Sequence, residues 1–165
     1  MRMKGLLCLF FSMLLYAVDV SACALTTGYK QFELEVDARP SDAPDDTLRM
    51  PEVEVVSITR GVGGAPDTCA GSGILVLDLK WPRGEYKIDD VGFEFRVVSM
   101  DSSYAVFPAE PIAIITDKRR AEFLLLWPDD PPAQQKPLRM EVEVRAVTRG
   151  YLRGPPMRFT IDSTQ

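Results

Sequence analysis

Apolar and polar side chains alternate with a period of two along most of this chain, which is the mark of half-buried strands. The segment "LRMEVEVRAV" is the cleanest: Leu138, Met140, Val142, Val144 and Ala146 fall on one face, and Arg139, Glu141, Glu143 and Arg145 on the other. "ILVLDLKWP" sets Leu75, Leu77, Leu79 and Trp81 against Asp78 and Lys80, and "VGFEFRVVS" sets Phe93, Phe95 and Val97 against Glu94 and Arg96. In "EVEVVSIT", Val53 and Val55 share a face, after which the phase shifts and Ile58 follows Val56, as at a β-bulge. "AEFLLLWP" carries Phe123, Leu125 and Trp127 on one side and Leu124 and Leu126 on the other, which predicts cover on both faces. "MRFTI" returns with Met157, Phe159 and Ile161 in step. "YAVFP" and "PIAIIT" read as short strands beside Pro108 and Pro111, suited to sheet edges because proline brings no ladder donor.

Seven or eight short strands separated by Gly, Pro and Asp turns, with no amphipathic helix among them, predict an all-β fold, an antiparallel β-sandwich over residues 51–162 with a tail at 163–165. Each large side chain fully buried between its sheets stabilises by about 1.5 to 3 kcal/mol.

The first 50 residues follow other rules. Arg2 and Lys4 precede the apolar run "LLCLFFSMLLYAV" (6–18) and small residues follow, so 1–22 reads as an export signal. The run is shorter than the roughly 20 residues needed to span a bilayer. Residues 23–50 read as a tether. Within it "QFELEV" (31–36) alternates Phe32, Leu34 and Val36 and predicts an extra edge strand, and the Pro- and Asp-rich "DARPSDAPDDTLRMP" predicts a linker. Fully extended, 23–50 would reach about 90 to 100 Å.

Cys23 has three readings. "VSAC" (20–23) resembles the bacterial lipobox, which implies a diacylglycerol thioether on Cys23 and, with Ala24 following, an outer-membrane location. Two or more acyl chains would anchor the domain firmly. Alternatively, cleavage after Ala22 leaves Cys23 free to pair with Cys69, closing a loop of about 46 residues for roughly 4 kcal/mol in the chain-entropy model. Cleavage after Ala24 would remove Cys23 altogether. The first two exclude each other, since a thioether sulfur cannot enter a disulfide.

"SGILVLDLKWPRG", "VGFEFRVV" and "MEVEVRAVTRGYLRGPP" together resemble a fibronectin type III or related immunoglobulin-like module: a B strand ending in Trp81-Pro82, a C strand with Phe93, Phe95 and Val97, and an F strand with Val142, Val144 and Ala146, where Met140 takes the place of the family's tyrosine. The resemblance implies a sandwich and is nearly silent on activity.

The chain carries 19 basic and 24 acidic side chains, and removal of Arg2, Lys4 and Asp19 with the leader keeps the balance acidic, which argues against nucleic acid as partner. Acids crowd residues 31–54 and bases crowd 136–158, so the N-terminal arm and the C-terminal hairpin have opposite signs. No histidine is present, which excludes histidine-based triads and leaves Cys69 without the usual base. "GVGGAPDTCAG" lacks the lysine of a phosphate-binding loop and precedes a strand. The pairs Asp45-Asp46, Asp89-Asp90 and Asp129-Asp130 lack calcium-loop spacing and fit turns. Lys118, Arg119 and Arg120 fit an exposed turn. The loops "RGEYKIDD" and "TRGYLRG" supply the candidate binding residues, Arg83 and Tyr86 in one, Arg149, Tyr151 and Arg153 in the other, types enriched at interface hot spots. The expectation is thus a non-catalytic exported module of the cell envelope, lipid-anchored at Cys23, without metal or cofactor, that binds or spaces an unidentified protein partner. The alternative is a soluble secreted or periplasmic factor, stapled by Cys23–Cys69, such as an inhibitor or assembly chaperone.

Overall fold

The computed structural model describes residues 25–64, 69–101 and 103–164. Eight strands follow in order: β1 (Tyr29–Gln31), β2 (Glu52–Thr59), β3 (Ser72–Lys80), β4 (Gly92–Met100), β5 (Ile112–Ile114), β6 (Arg120–Pro128), β7 (Arg139–Val147) and β8 (Met157–Asp162). They form two antiparallel sheets, β2-β3-β6 and β1-β5-β4-β7-β8, which make a β-sandwich. The inward rows meet between the sheets as their period requires. Leu75, Leu77 and Leu79 of β3, Phe123, Leu125 and Trp127 of β6, Phe93 of β4, and Val142, Val144 and Ala146 of β7 are all buried in one cluster. Trp81 packs edge-on against Phe93, with ring centroids 5.8 Å apart. Gly73 is required here for closeness: a Cβ at that position would come within 2.1 Å of the Trp127 indole, its cross-strand partner.

The phase shift in β2 is a bulge between Val55 and Ser57. The extra residue, Val56, is half exposed, while Ile58 packs against the core, so the two do not share a face. Residues 104–107 contribute no strand. Val106 is buried and Phe107 stacks on Phe95 at 5.1 Å, so the segment joins the core through its side chains and not through a ladder.

The stretch expected as a tether is, over its described part, laid on the sandwich. The Thr27 carbonyl accepts from the Leu124 N–H of β6, and the Gly28 carbonyl from the Ile115 N–H beyond β5, so the arm closes the gap between the two sheets. β1 then pairs with β5, two residues ahead of the expected strand 31–36. Alternation stops at Phe32 and Leu34 because the chain turns at Asp37 (φ 66°), with the Ala38 N–H donating to the Glu35 carbonyl, and Val36 is left exposed. Phe32 covers Gly92, where a Cβ would lie 2.4 Å from the ring. Further on, Leu48 is buried in the main core. Phe32, with Leu34 packed beside it, and Leu48 thus hold down an otherwise polar and acidic segment. Among the described residues no helix is long and apolar enough to cross a membrane.

Candidate functional site

Two charged constellations are built into this frame. The first closes one end of the sandwich, where β2 leaves its sheet and β6 ends. Arg60 grips the buried Asp129 with two hydrogen bonds, Nε to Oδ2 at 2.8 Å and Nη2 to Oδ1 at 2.7 Å. Asp129 also accepts from the Gly61 and Asp130 N–H groups and from Gln135. The remaining Arg60 nitrogen donates to the Lys136 carbonyl, Nη2 also reaches the Tyr104 hydroxyl, and that hydroxyl donates to Asp130. Burial works to raise the Asp129 carboxyl, but the Arg60 hydrogen bonds, the backbone donors and the Arg60 charge hold it below the usual carboxylate range. The other paired aspartates serve turns: Asp45 accepts from the Thr47 N–H and hydroxyl, and Asp90 from the Lys87 N–H.

The second constellation lies on the outer face of the larger sheet. Register sets Glu94 of β4 opposite Arg145 of β7, and Arg96 opposite Glu143, which in turn faces Arg158 of β8. Glu143 is almost completely buried beneath arginines and accepts from Arg145 Nε (2.9 Å), Arg158 Nε (3.3 Å) and Arg96 Nη2 (3.4 Å). Desolvation alone would push its carboxyl up; the hydrogen bonds and charges of Arg145, Arg158 and Arg96 pull it below the ordinary value.

The hairpin between β7 and β8 leans over the same face. The Tyr151 hydroxyl and Arg153 Nη2 both donate to Glu94 Oε1, at 2.7 and 2.6 Å, and the Arg153 guanidinium lies over the Tyr151 ring. Burial first, and then the hydrogen bond and charge of Glu94, raise the Tyr151 phenol above its ordinary value. Tyr151 sits at φ 63°, a left-handed conformation rare for a bulky residue. Its backbone is fixed from both sides, the N–H donating to the Thr148 carbonyl and the carbonyl accepting from Ser41. The N-terminal arm follows the hairpin: Glu35 N–H donates to the Arg149 carbonyl, Asp45 N–H to the Arg153 carbonyl, and Arg153 N–H to Ser41 Oγ. The arm therefore meets the basic hairpin through backbone bonds and not through pairing of their opposite charges. The salt bridges of Arg139, Arg145, Arg153 and Arg158 run to strand carboxylates. A cleft of about 180 Å³ results, lined by Ser41, Asp42, Glu94, Arg96, Glu143, Arg145 and Arg153.

The five expected loop residues are thus divided. Tyr86 and Arg149 meet in an open cleft of about 450 Å³ at the end of the sandwich, with Glu35, Asp90, Thr148 and Leu152. Tyr151 and Arg153 belong to the outer-face cleft, and Arg83 stands exposed in its turn. Glu94, Arg96, Glu143 and Arg145 read in sequence only as the polar face of strands; their alternation of sign was the available signal, and strand register turns it into a cluster.

Cys69 opens a short 3-10 turn (Cys69–Gly71) just before β3 and is disulfide-bonded. Cys23 lies outside the described residues. Among the described residues no group of three or more His, Cys, Asp or Glu side chains could hold a metal ion. No protein-family model, characterised protein or solved structure matches this chain.

Proposed function

We propose that this chain is an exported, disulfide-stapled β-sandwich of fibronectin type III-like build that works by binding and not by catalysis, in an oxidising compartment such as the periplasm or the cell exterior. The observation that carries the reading is the disulfide at Cys69. The chain has three cysteines, and removal of the leader takes Cys8 with it, leaving Cys23 as partner. The course of the arm supports this pairing. Thr27 bonds to Leu124 while a Cβ on Gly28 would touch Phe123, so the described arm runs antiparallel to β6, the strand that ends at Pro128. Pro128 pairs with Ser72, three residues beyond Cys69. A sulfur used in this way is unavailable for acylation, so the soluble, stapled form is favoured over the lipid-anchored one.

The fibronectin-like build is supported by strand order. With β2 to β8 lettered A to G, A, B and E share one sheet and C, F and G the other, as in immunoglobulin-type sandwiches, while the intervening β5 pairs with C instead of E. The binding role is supported by the state of the buried carboxylates. Asp129 and Glu143 are both held ionised by arginine, the opposite of what a general acid needs. The test is mass spectrometry of the unreduced protein purified from the envelope or medium. A Cys23–Cys69 linked peptide with a free amine at residue 23 is expected, and an acyl-bearing Cys23 would overturn the reading.

A further inference from the structure

We propose that the cleft on the outer face of the larger sheet is a saccharide site that takes adjacent hydroxyl groups of an uncharged sugar. The charges lining it balance: Arg96, Arg145 and Arg153 against Asp42, Glu94 and Glu143. An anion therefore gains no net attraction there, in a chain that is acidic overall. What the cleft offers is hydrogen-bonding capacity of both kinds. Each guanidinium carries five N–H donors, yet among the described residues bonds to protein acceptors use only Nη2 of Arg96, Nε of Arg145 and Nη2 of Arg153. Arg153 Nε is buried and meets no acceptor among the described residues, so the donors left to the cleft are the outer nitrogens of these guanidinium groups. On the acceptor side, Glu94 Oε2 and both Asp42 oxygens receive no hydrogen bond from any described residue. Cross-strand register alternates the signs, Glu94 beside Arg145 and Arg96 beside Glu143. A hydroxyl both donates and accepts, so a vicinal pair of hydroxyls spans one carboxylate and one guanidinium of such a checkerboard. A carboxylate or phosphate ligand would meet the guanidinium groups but be repelled by Asp42 and Glu94.

The walls are fixed in advance. Ser41 is hydrogen-bonded to the backbone of Tyr151 and of Arg153, and Tyr151 is held in a strained left-handed conformation of the kind that concentrates at functional sites. At about 180 Å³ the cleft is below the roughly 300 to 1,000 Å³ of drug-sized ligand pockets, which suits one ring of a longer glycan. This assignment rests on the binding-module reading and is independent of the disulfide.

The experiment presents the mature, unreduced chain with immobilised oligomers of glucose, galactose, mannose and N-acetylglucosamine, with heparin and poly-glutamate as charged controls. Retention on at least one neutral oligomer is expected, weakened about tenfold or more by Arg153→Gln and by Glu94→Gln. Asp42→Asn and Arg96→Gln alter exposed side chains and carry the same expectation should the other two fail to fold. No retention on any neutral oligomer, binding confined to heparin or poly-glutamate, or binding unchanged in the Asp42 and Arg96 variants would overturn the assignment. A linked Cys23–Cys69 peptide in a chain that ignores sugars would leave the stapled-module reading standing.

Discussion

The two arginine–carboxylate constellations use the same groups to opposite ends. At the closed end of the sandwich every nitrogen of Arg60 and both oxygens of Asp129 are engaged inside the protein, and the disulfide at Cys69 ties the neighbouring loop. On the outer face four arginines surround Glu94 and Glu143, and donors far outnumber the acceptors they meet. A buried charge pair with all its hydrogen bonds made holds segments together and has nothing left to offer a ligand. A partly matched set on a rigid sheet costs stability in the free protein and keeps its capacity for something else. The degree of hydrogen-bond completion, more than the presence of charge, separates scaffold from site.

That contrast predicts a graded response to substitution. With Cys23 as the proposed partner, Cys69→Ser is expected to cost about 4 kcal/mol in denaturant unfolding, the entropy of a loop of about 46 residues. Asp129→Asn strands Arg60 and is expected to cost on the order of 3 kcal/mol at neutral pH. Because the Asp129 carboxyl lies below its ordinary value when folded, its share of stability is complete above about pH 4 and fades as pH falls through the lowered value. The Asn variant should therefore show a flatter acid limb in a pH series of thermal melts, and an unchanged limb would mean that the pair is not what holds this end. Glu143→Gln removes an acceptor shared by three partly exposed arginines and should cost only about 1 to 2 kcal/mol. Arg96→Gln and Asp42→Asn should stay within about 0.5 kcal/mol of the parent, since Arg96 is mostly exposed and makes the longest of the three bonds to Glu143, and Asp42 is an exposed surface residue. A larger loss at these two positions would mean that the outer face is scaffold as well, and the contrast would collapse.

Much of the architecture was legible from periodicity. The rows Leu75, Leu77, Leu79 and Leu138, Met140, Val142, Val144 are buried where alternation put them, and the β2 bulge lies where the phase slips. Periodicity says least about the segment ahead of β2. Phe32 belongs to the alternating run 31–36, but Leu48 is a single apolar residue in acidic, proline-bearing surroundings that no local pattern marks as an anchor, and both are buried. Their burial depends on surfaces that exist only after folding: the bare backbone at Gly92 for Phe32, and the close approach of Gly154 for Leu48. Loop composition singled out Tyr151 and Arg153 as candidates, and the structure sets both on Glu94 of β4, an outward strand residue that composition did not mark.

A two-residue period is a local property of the chain, so the sequence alone determined the long strands, the buried side of each and the closed core they imply, but not the short pieces at 29–31 and 104–107. Which outward residue faces which depends on strand register, and what covers a sheet edge depends on where the chain returns. Both arise from contacts between residues far apart in sequence. Only the tertiary structure could decide that Glu94, Arg96, Glu143, Arg145 and Arg153 share one cleft, and that the acidic arm forms its wall.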